Sequence, residues 1–290
     1  MANLKEIRGR IASISSTMQI TSAMKMVSAA KLKKAQDAIT MLRPYSEKLQ
    51  EIIENVNTSS DPDKVSIYAK KREVKRILYI AITSNRGLAG AFNSSVIKEL
   101  NQQLAKNSDK QVEIMTVGKK VFDAVRKTRT PYSNQSHIFD NLSFEAVANH
   151  IVYGVMKDFR EAKFDEVYLI YNQFLNAATQ KVQTEKLLPI SIKESDEKES
   201  TVEVDYLFEP SRNEILDVLI PKSIKTQVYK AVLDSVASEH GARMTAMHKA
   251  TDNAQALKND LVIFYNKARQ AAITNEILEI VSGAEALKNG

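Results

Sequence analysis

Apolar residues recur in alternating steps of three and four at both ends of the chain, and the middle follows a different rhythm. From Lys222 to about Gly283 there is no proline and one internal glycine, Gly241, so nothing interrupts a helix. Reading back from Leu278, the steps fall on Asn275, Ala271, Ala268, Phe264, Leu261, Leu257, Ala254, Ala250 and Met247, then on Arg243, His240 and Val236. This is the narrow seam of a coiled coil, not the broad stripe of a helix lying on a globular core. The rise per residue predicts a rod of roughly 90 Å, which needs a partner of similar length.

The first 56 residues supply one. In heptad steps they read Leu4, Ile7, Ile11, Ile14, Met18, Thr21, Lys25, Ser28, Leu32, Ala35, Ile39, Leu42, Ser46, Leu49, Ile53 and Val56. The pattern lapses at Thr21, Lys25 and Ser28, where Ile20, Met24 and Val27 sit one place away. The expectation is a stripe that walks around the helix, because 3.6 residues per turn drifts against a 3.5 repeat. Pro44 is expected to bend or break this helix. At about 80 Å it matches the C-terminal rod, and the two are expected to pair antiparallel.

Between them the period shifts. A polar linker is read over 57–75, followed by strand signals at 76–83, 111–117 and 165–174, rich in β-branched and apolar residues. Helices are expected over 91–106, 119–127 and 143–162, the last capped by Ser143 with Glu145 in its first turn. Strands alternating with helices imply a small parallel, Rossmann-like sheet over 76–209, with edge strands at 182–188 and 201–208. A solvated loop, KESDEKES, separates those two. Ser211 and Glu214 have the spacing of a capping box, opening a helical region over 210–290 in which Pro221 marks one more break. The fold class is thus α/β with dominant helix: a long antiparallel coiled coil of the terminal helices plus a central Rossmann-like module. That module is expected at one end of the helical pair, with both chain termini at the other.

Composition narrows the class. Eight glycines and six prolines among 290 residues favour long helices. No apolar run reaches 18 residues, and the N-terminus has no apolar leader pattern, so neither a membrane span nor a secretory signal is expected. The lack of cysteine excludes disulfides and thiolate metal sites. These features suit a bacterial cytoplasmic setting. The net charge of +6 resides entirely in the first 34 residues, where seven cations face one acid, Glu6. One end of the molecule is built to meet negative charge.

Little in the sequence points to an active site. The loop SNRGLAG (84–90) follows a strand and opens a helix, but it is neither a P-loop nor a dinucleotide fingerprint, and its glycines read as turn formers. The four histidines lack ligand spacing along the chain; His240 and His248 are eight residues apart. No catalytic, cofactor-binding or metal-binding residue is assigned. The polar interruptions of the seams carry more. Lys25, Arg243 and His240 fall where dry positions are expected, either setting register or presenting polar groups to a third partner. Arg269, Gln270, Thr274 and Glu276 form a polar cluster on an alanine- and isoleucine-rich helix, and Arg269 is suited to a bidentate carboxylate contact.

Five stretches carry a resemblance: MKMVSAAKL (24–32), ITSNRGLAGAF (82–92), ARMTAMHKATDNA (242–254), KARQAAITNEI (267–277) and the terminal run ITNEILE through GAEA (273–286). Together they resemble the γ subunits of F-type ATP synthases, in a bacterial form, over essentially the whole chain. The resemblance implies a non-catalytic rotor shaft, one copy per complex, inside a 3:3 hexamer of α and β subunits. It implies a foot on the ring of c subunits, contact with ε, and a peripheral place on the cytoplasmic face of the bacterial membrane. It puts Met24 and Lys25 near an acidic loop of β. Arg243, Arg269, Gln270, Thr274 and Glu276 then belong to contacts with the hexamer and within the shaft, and Tyr206 and Glu209 face the ring and ε. The thiol-regulated insert of plant-type members is absent. Two other readings follow from the residues alone. A nucleic-acid-binding coiled coil predicts steeply salt-dependent binding through the basic end, although the apolar seam there is suited to a helix. A nucleotide-dependent enzyme built on the α/β module predicts tight stoichiometric ATP binding.

Overall fold

The computed structural model describes residues 4–57, 67–70, 72–190 and 212–288. Tyr206, Glu209, Ser211, the KESDEKES loop, the 201–208 strand and much of the 57–75 linker therefore lie outside the described residues. Contacts divide the chain into two compact units, Met1–Ser28 with Met244–Gly290, and Ala29–Arg243. Helix α1 (Leu4–Asn57) and helix α6 (Arg212–Lys288) contribute residues to both.

Both helices run through their prolines, so the break expected at Pro221 is absent and Pro44, expected to bend or break its helix, does not break it. The ring of Pro44 is exposed, so the carbonyl it leaves unbonded can be hydrated. Ile39, Leu49 and Ile53 around it are buried, as are Ile220 and Ile224 beside Pro221. Packing of the apolar face, rather than local propensity, holds the helices through these positions.

The larger unit is built on five strands in the order β3-β2-β1-β4-β5. Strand β1 (Arg76–Ile82) pairs in parallel with β2 (Gln111–Val117) and with β4 (Glu166–Phe174). The short β3 (Ser133–Asn134) extends the parallel part, and β5 (Gln180–Leu188) closes it antiparallel to β4. Beyond its exposed first residue, β1 is buried along its whole length, as a strand covered on both faces must be. Asp165 fixes its start, accepting the backbone N–H groups of Lys75 (3.0 Å) and Arg76 (2.8 Å).

One face of the sheet packs against α2 (Phe92–Lys106) and α3 (Lys119–Val125) through Tyr79, Val96, Leu100, Val121 and Val125. The other face receives α6. Leu216, Ile220, Ile224, Val228, Ala231 and Val232 recur at helical spacing and bury against Leu78, Ile80, Leu169 and Tyr171. The segment expected as one helix over 143–162 is α4 (Phe144–Val147), a π-helical turn (Ala148–Val152) and α5 (Tyr153–Arg160). The Ser143 hydroxyl accepts from the Ala146 amide at 3.1 Å, and Glu145 lies in the first turn, as the sequence predicts. The π turn and the 3-10 helix Ser136–Asp140 have no periodic signature.

In the smaller unit the N-terminal part of α1 pairs antiparallel with the C-terminal part of α6. Arg8 donates to the Tyr265 hydroxyl at 2.7 Å, and the hydroxyls of Thr21 and Thr251 are 2.8 Å apart. The stripe on α1 does not walk. Thr21 and Ser28 are 9% and 3% exposed, whereas Ile20 and Val27 are each 57% exposed. Hydroxyls can stay on the strict heptad because each has a partner. Thr21 donates to the Met18 carbonyl (3.1 Å) and Ser28 to that of Met24 (2.7 Å).

On α6 the seam takes Met247, Ala254, Leu261 and Ala268, as read from the sequence, but its alternate positions are Thr251, Lys258, Tyr265 and Ala272. Leu257 and Phe264 are half exposed. The steps of three and four can be phased either way, and the Thr21 and Arg8 contacts select the phase.

Candidate functional site

Two features stand out, one in each unit. In the larger unit, Arg243 on α6 is 7% exposed and grips the 84–90 loop that follows β1. One guanidinium nitrogen donates to the carbonyls of Arg86 (3.3 Å) and Gly87 (3.2 Å). The other donates to the Glu239 carboxylate at 2.6 Å. A guanidinium fits here because its donors fan out in a plane and meet several acceptors at once.

The loop that offers those carbonyls is internally fixed. The Ser84 amide and hydroxyl both reach Asn93 at 3.0 Å, and Asn85 bridges the Lys119 amide and the Ser136 carbonyl. Leu88 and Gly90 hold positive φ of 61° and 54°. At Gly118 (φ 109°) a Cβ would lie 2.1 Å from the Thr83 carbonyl oxygen, so only glycine fits. The loop thus spends the Ser84 amide on the Asn93 side chain and turns two carbonyls toward an arginine, an arrangement suited to gripping a helix rather than cradling phosphate.

Burial governs the titratable groups alongside. His240 is pushed down to about 4 by burial first and then by Arg243 and Lys31, so it is neutral at neutral pH. The Glu239 carboxyl is pushed up by burial, which outweighs the opposing attraction of Arg243. Asp234, one turn further back, is 2% exposed and rises from an ordinary 3.8 to about 6. Burial is the main cause; Lys230, Arg43 and the Phe174 amide oppose it, and Glu185 adds to it. One Asp234 oxygen, Oδ1, has no hydrogen-bond partner among the described residues. Nearby, a Cβ at Gly241 would lie 3.2 Å from the backbone of Ala177, in the turn between β4 and β5.

In the smaller unit the helical pair carries many large apolar residues on its outside, among polar ones. Ile20, Met26, Val27, Leu257, Ile263 and Phe264 are exposed, and so are Ile273, Ile277, Leu278, Ile280 and Val281 beyond the last seam residue. Inside, the seam carries Thr21, Ser28 and Thr251. Exposed apolar side chains in this number are expected of a surface that another protein covers.

The residues singled out from sequence are not gathered into one site. Met24 and Lys25 are half-buried beside Ser28. Arg269, Gln270, Thr274 and Glu276 are exposed along the last turns of α6, where the Thr274 hydroxyl donates to the Gln270 carbonyl at 2.9 Å. Arg243 is a buried clamp within its own unit. Sequence reasoning missed the loop carbonyls as its acceptors, and missed Asp234 altogether; backbone acceptors have no sequence signature. Among the described residues no helix is long and apolar enough to cross a membrane.

The sequence matches the ATP synthase family over residues 3–287. It is 60% identical to the ATP synthase gamma chain of Flavobacterium psychrophilum, covering 99% of this chain and all of that one. It is 43% identical to the ATP synthase gamma chain of a Geobacter species, again over 99% and 100% of the two chains. Among solved structures, a chain of the central stalk and c-ring of the Tetrahymena thermophila mitochondrial ATP synthase superposes with a TM-score of 0.58 at 27% identity, covering 80% of this chain and 99% of that one. A chain of the Euglena gracilis mitochondrial enzyme shares the fold, with a TM-score of 0.68 at 22% identity over 98% and 94%. Matched by the family model over nearly its whole length and by relatives end to end, the chain belongs to the ATP synthase gamma-chain family.

Proposed function

We propose that this chain is the central rotor shaft of a proton- or sodium-translocating F-type ATP synthase. It couples rotation of the membrane c-ring to conformational change at the catalytic β subunits. It is itself non-catalytic, present once per complex, inside a hexamer of three α and three β subunits. It also contacts ε and the c-ring, peripheral to the cytoplasmic face of the bacterial membrane.

The observation that carries this reading is the set of large apolar side chains exposed on the helical pair in the smaller unit, which calls for a protein sleeve. The basic N-terminal end suits acidic loops on the sleeve, and Met24 and Lys25 are assigned there. Arg269, Gln270, Thr274 and Glu276 are exposed and available to the hexamer. Tyr206 and Glu209, outside the described residues, are assigned to the c-ring and ε. The mechanism is differential contact. An asymmetric pair of helices in a three-fold sleeve cannot touch three identical catalytic subunits alike, so each orientation favours a different conformation in each. Turning the pair then changes nucleotide affinity at the three sites in sequence, and hydrolysis drives it the other way.

The test is co-purification with α and β, followed by ATPase turnover of the hexamer with and without this chain. A stable complex with altered turnover is expected. Identical turnover, or failure to co-purify, removes the basis of the proposal.

A further inference from the structure

Two of the chain's four histidines, thirteen residues apart in sequence, meet on the surface of the larger unit. His137 lies on the 3-10 helix Ser136–Asp140 and His150 on the π-helical turn Ala148–Val152. Their rings are perpendicular, with centroids 4.6 Å apart, and both residues are exposed. The π turn matters because its hydrogen bonds span one more residue than those of an α-helix. It therefore sets a rotational position for His150 that an unbroken helix would not, and such single turns occur often at functional positions.

The separation of the rings fits a shared ion. A metal held at about 2.0–2.1 Å by each nitrogen lies roughly 3.2 Å from each ring centroid. Two such rings subtending about 90° to 110° at the metal have centroids roughly 4.5 to 5.2 Å apart, and the observed spacing falls inside that range. Because both side chains are exposed, rotation about the outer side-chain bond can turn a nitrogen of each toward a common point without disturbing the core. Among the described residues no group of three or more His, Cys, Asp or Glu side chains could hold a metal. A site here thus has two protein ligands and is open on its remaining sides. Paired imidazoles select borderline ions such as Zn²⁺, Ni²⁺ and Cu²⁺ over Mg²⁺ or Ca²⁺, which require oxygen ligands.

We propose that His137 and His150 form a two-imidazole site for a borderline divalent transition-metal ion, with water filling the remaining positions. The site is distinct from the clamp at Arg243 and from the helical pair, and independent of the rotor reading.

The test uses the full chain without a histidine tag, freed of metal with a chelator. Zn²⁺ titrated calorimetrically should saturate one site per chain. His137→Gln and His150→Gln should each weaken binding roughly tenfold or more, since one imidazole alone holds the ion poorly. His248→Gln, which removes a separate exposed imidazole paired with Asp252 at 3.4 Å, should leave it unchanged. A Cu²⁺-loaded sample should show electron paramagnetic resonance coupling to two nitrogens in the parent and one in either variant, a signature that a ring contact alone would not produce. Circular dichroism without metal verifies folding, and His150→Asn replaces His150→Gln if the latter fails to fold. Absence of saturable Zn²⁺ uptake, equal affinity in the parent and both pair variants, or loss confined to His248→Gln overturns the proposal.

Discussion

Replacing Asp234 by asparagine is expected to make the chain more stable at neutral and alkaline pH. The carboxylate is buried against the sheet, with one oxygen unpartnered, and its pKa stands at about 6 against an ordinary 3.8. Between about pH 4 and 6 the folded chain holds a proton there that the unfolded chain has released, so stability falls as pH rises through this window and levels off above it. At 1.36 kcal/mol per pH unit, the ionised carboxylate costs the folded state about 3 kcal/mol above pH 6 relative to its protonated form. Asparagine keeps an oxygen for the Phe174 amide and carries no charge. Its amide hydrogens need acceptors, which returns about 1 kcal/mol or more. The expected net gain is about 1–2 kcal/mol at pH 8, shrinking or reversing by pH 4. Thermal unfolding of the full chain, parent against variant, reads this as a midpoint raised by roughly 2–4 °C per kcal/mol. Using the difference between the two proteins removes His240, whose depressed value of about 4 makes it lose its contribution as pH falls from about 6.5 to 4 in both. An Asp234→Asn chain no more stable than its parent at pH 8, or a difference that does not change with pH, would refute the reasoning.

Three further outcomes follow from the same geometry. Arg243→Ala leaves the Glu239 carboxylate and two loop carbonyls without their donor, and should cost about 3–5 kcal/mol, read as a lower urea midpoint; Arg243→Lys should recover only part of this, because a single ammonium cannot span all three acceptors. Gly118→Ala drives a Cβ to 2.1 Å from a backbone oxygen at a φ of 109°, and should lose on the order of 3 kcal/mol or more, measured the same way. Deleting residues 279–290 removes the end of α6, where the described side chains are exposed, so the thermal midpoint should hardly move; assembly with α and β, or coupling of the assembled complex, should weaken while nucleotide hydrolysis persists.

The period of the apolar residues carried much of the fold. The heptads of α1 hold through Thr21 and Ser28 because a hydroxyl bonded to its own helix behaves as a small buried group, something polarity scales misread as a lapse. On α6 a 3-4 alternation leaves two phases open, and it was Thr251 and Tyr265, reaching Thr21 and Arg8, that chose between them. Neither proline ends its helix, as a break at Pro221 and one of the two outcomes at Pro44 would have required, because tertiary burial on either side outweighs a local propensity. β3, the 3-10 helix and the π turn are too short for any period to register. For the candidate site, sequence marked Arg243 as out of place on a seam but could not say what it grips, since the acceptors are main-chain oxygens of a loop some 150 residues earlier. Asp234 sits among valine, leucine and serine, where a single acid reads as solvated until the sheet beneath it is seen.

Because Arg243 reads carbonyl oxygens and not side chains, its grip is blind to the amino acids that supply them. Position 86 can therefore drift in sequence without loosening the helix, whereas inserting or removing one residue between 84 and 90 would slide the oxygens out of reach. Tolerance of exchange combined with intolerance of length change is the mutational fingerprint this contact should leave.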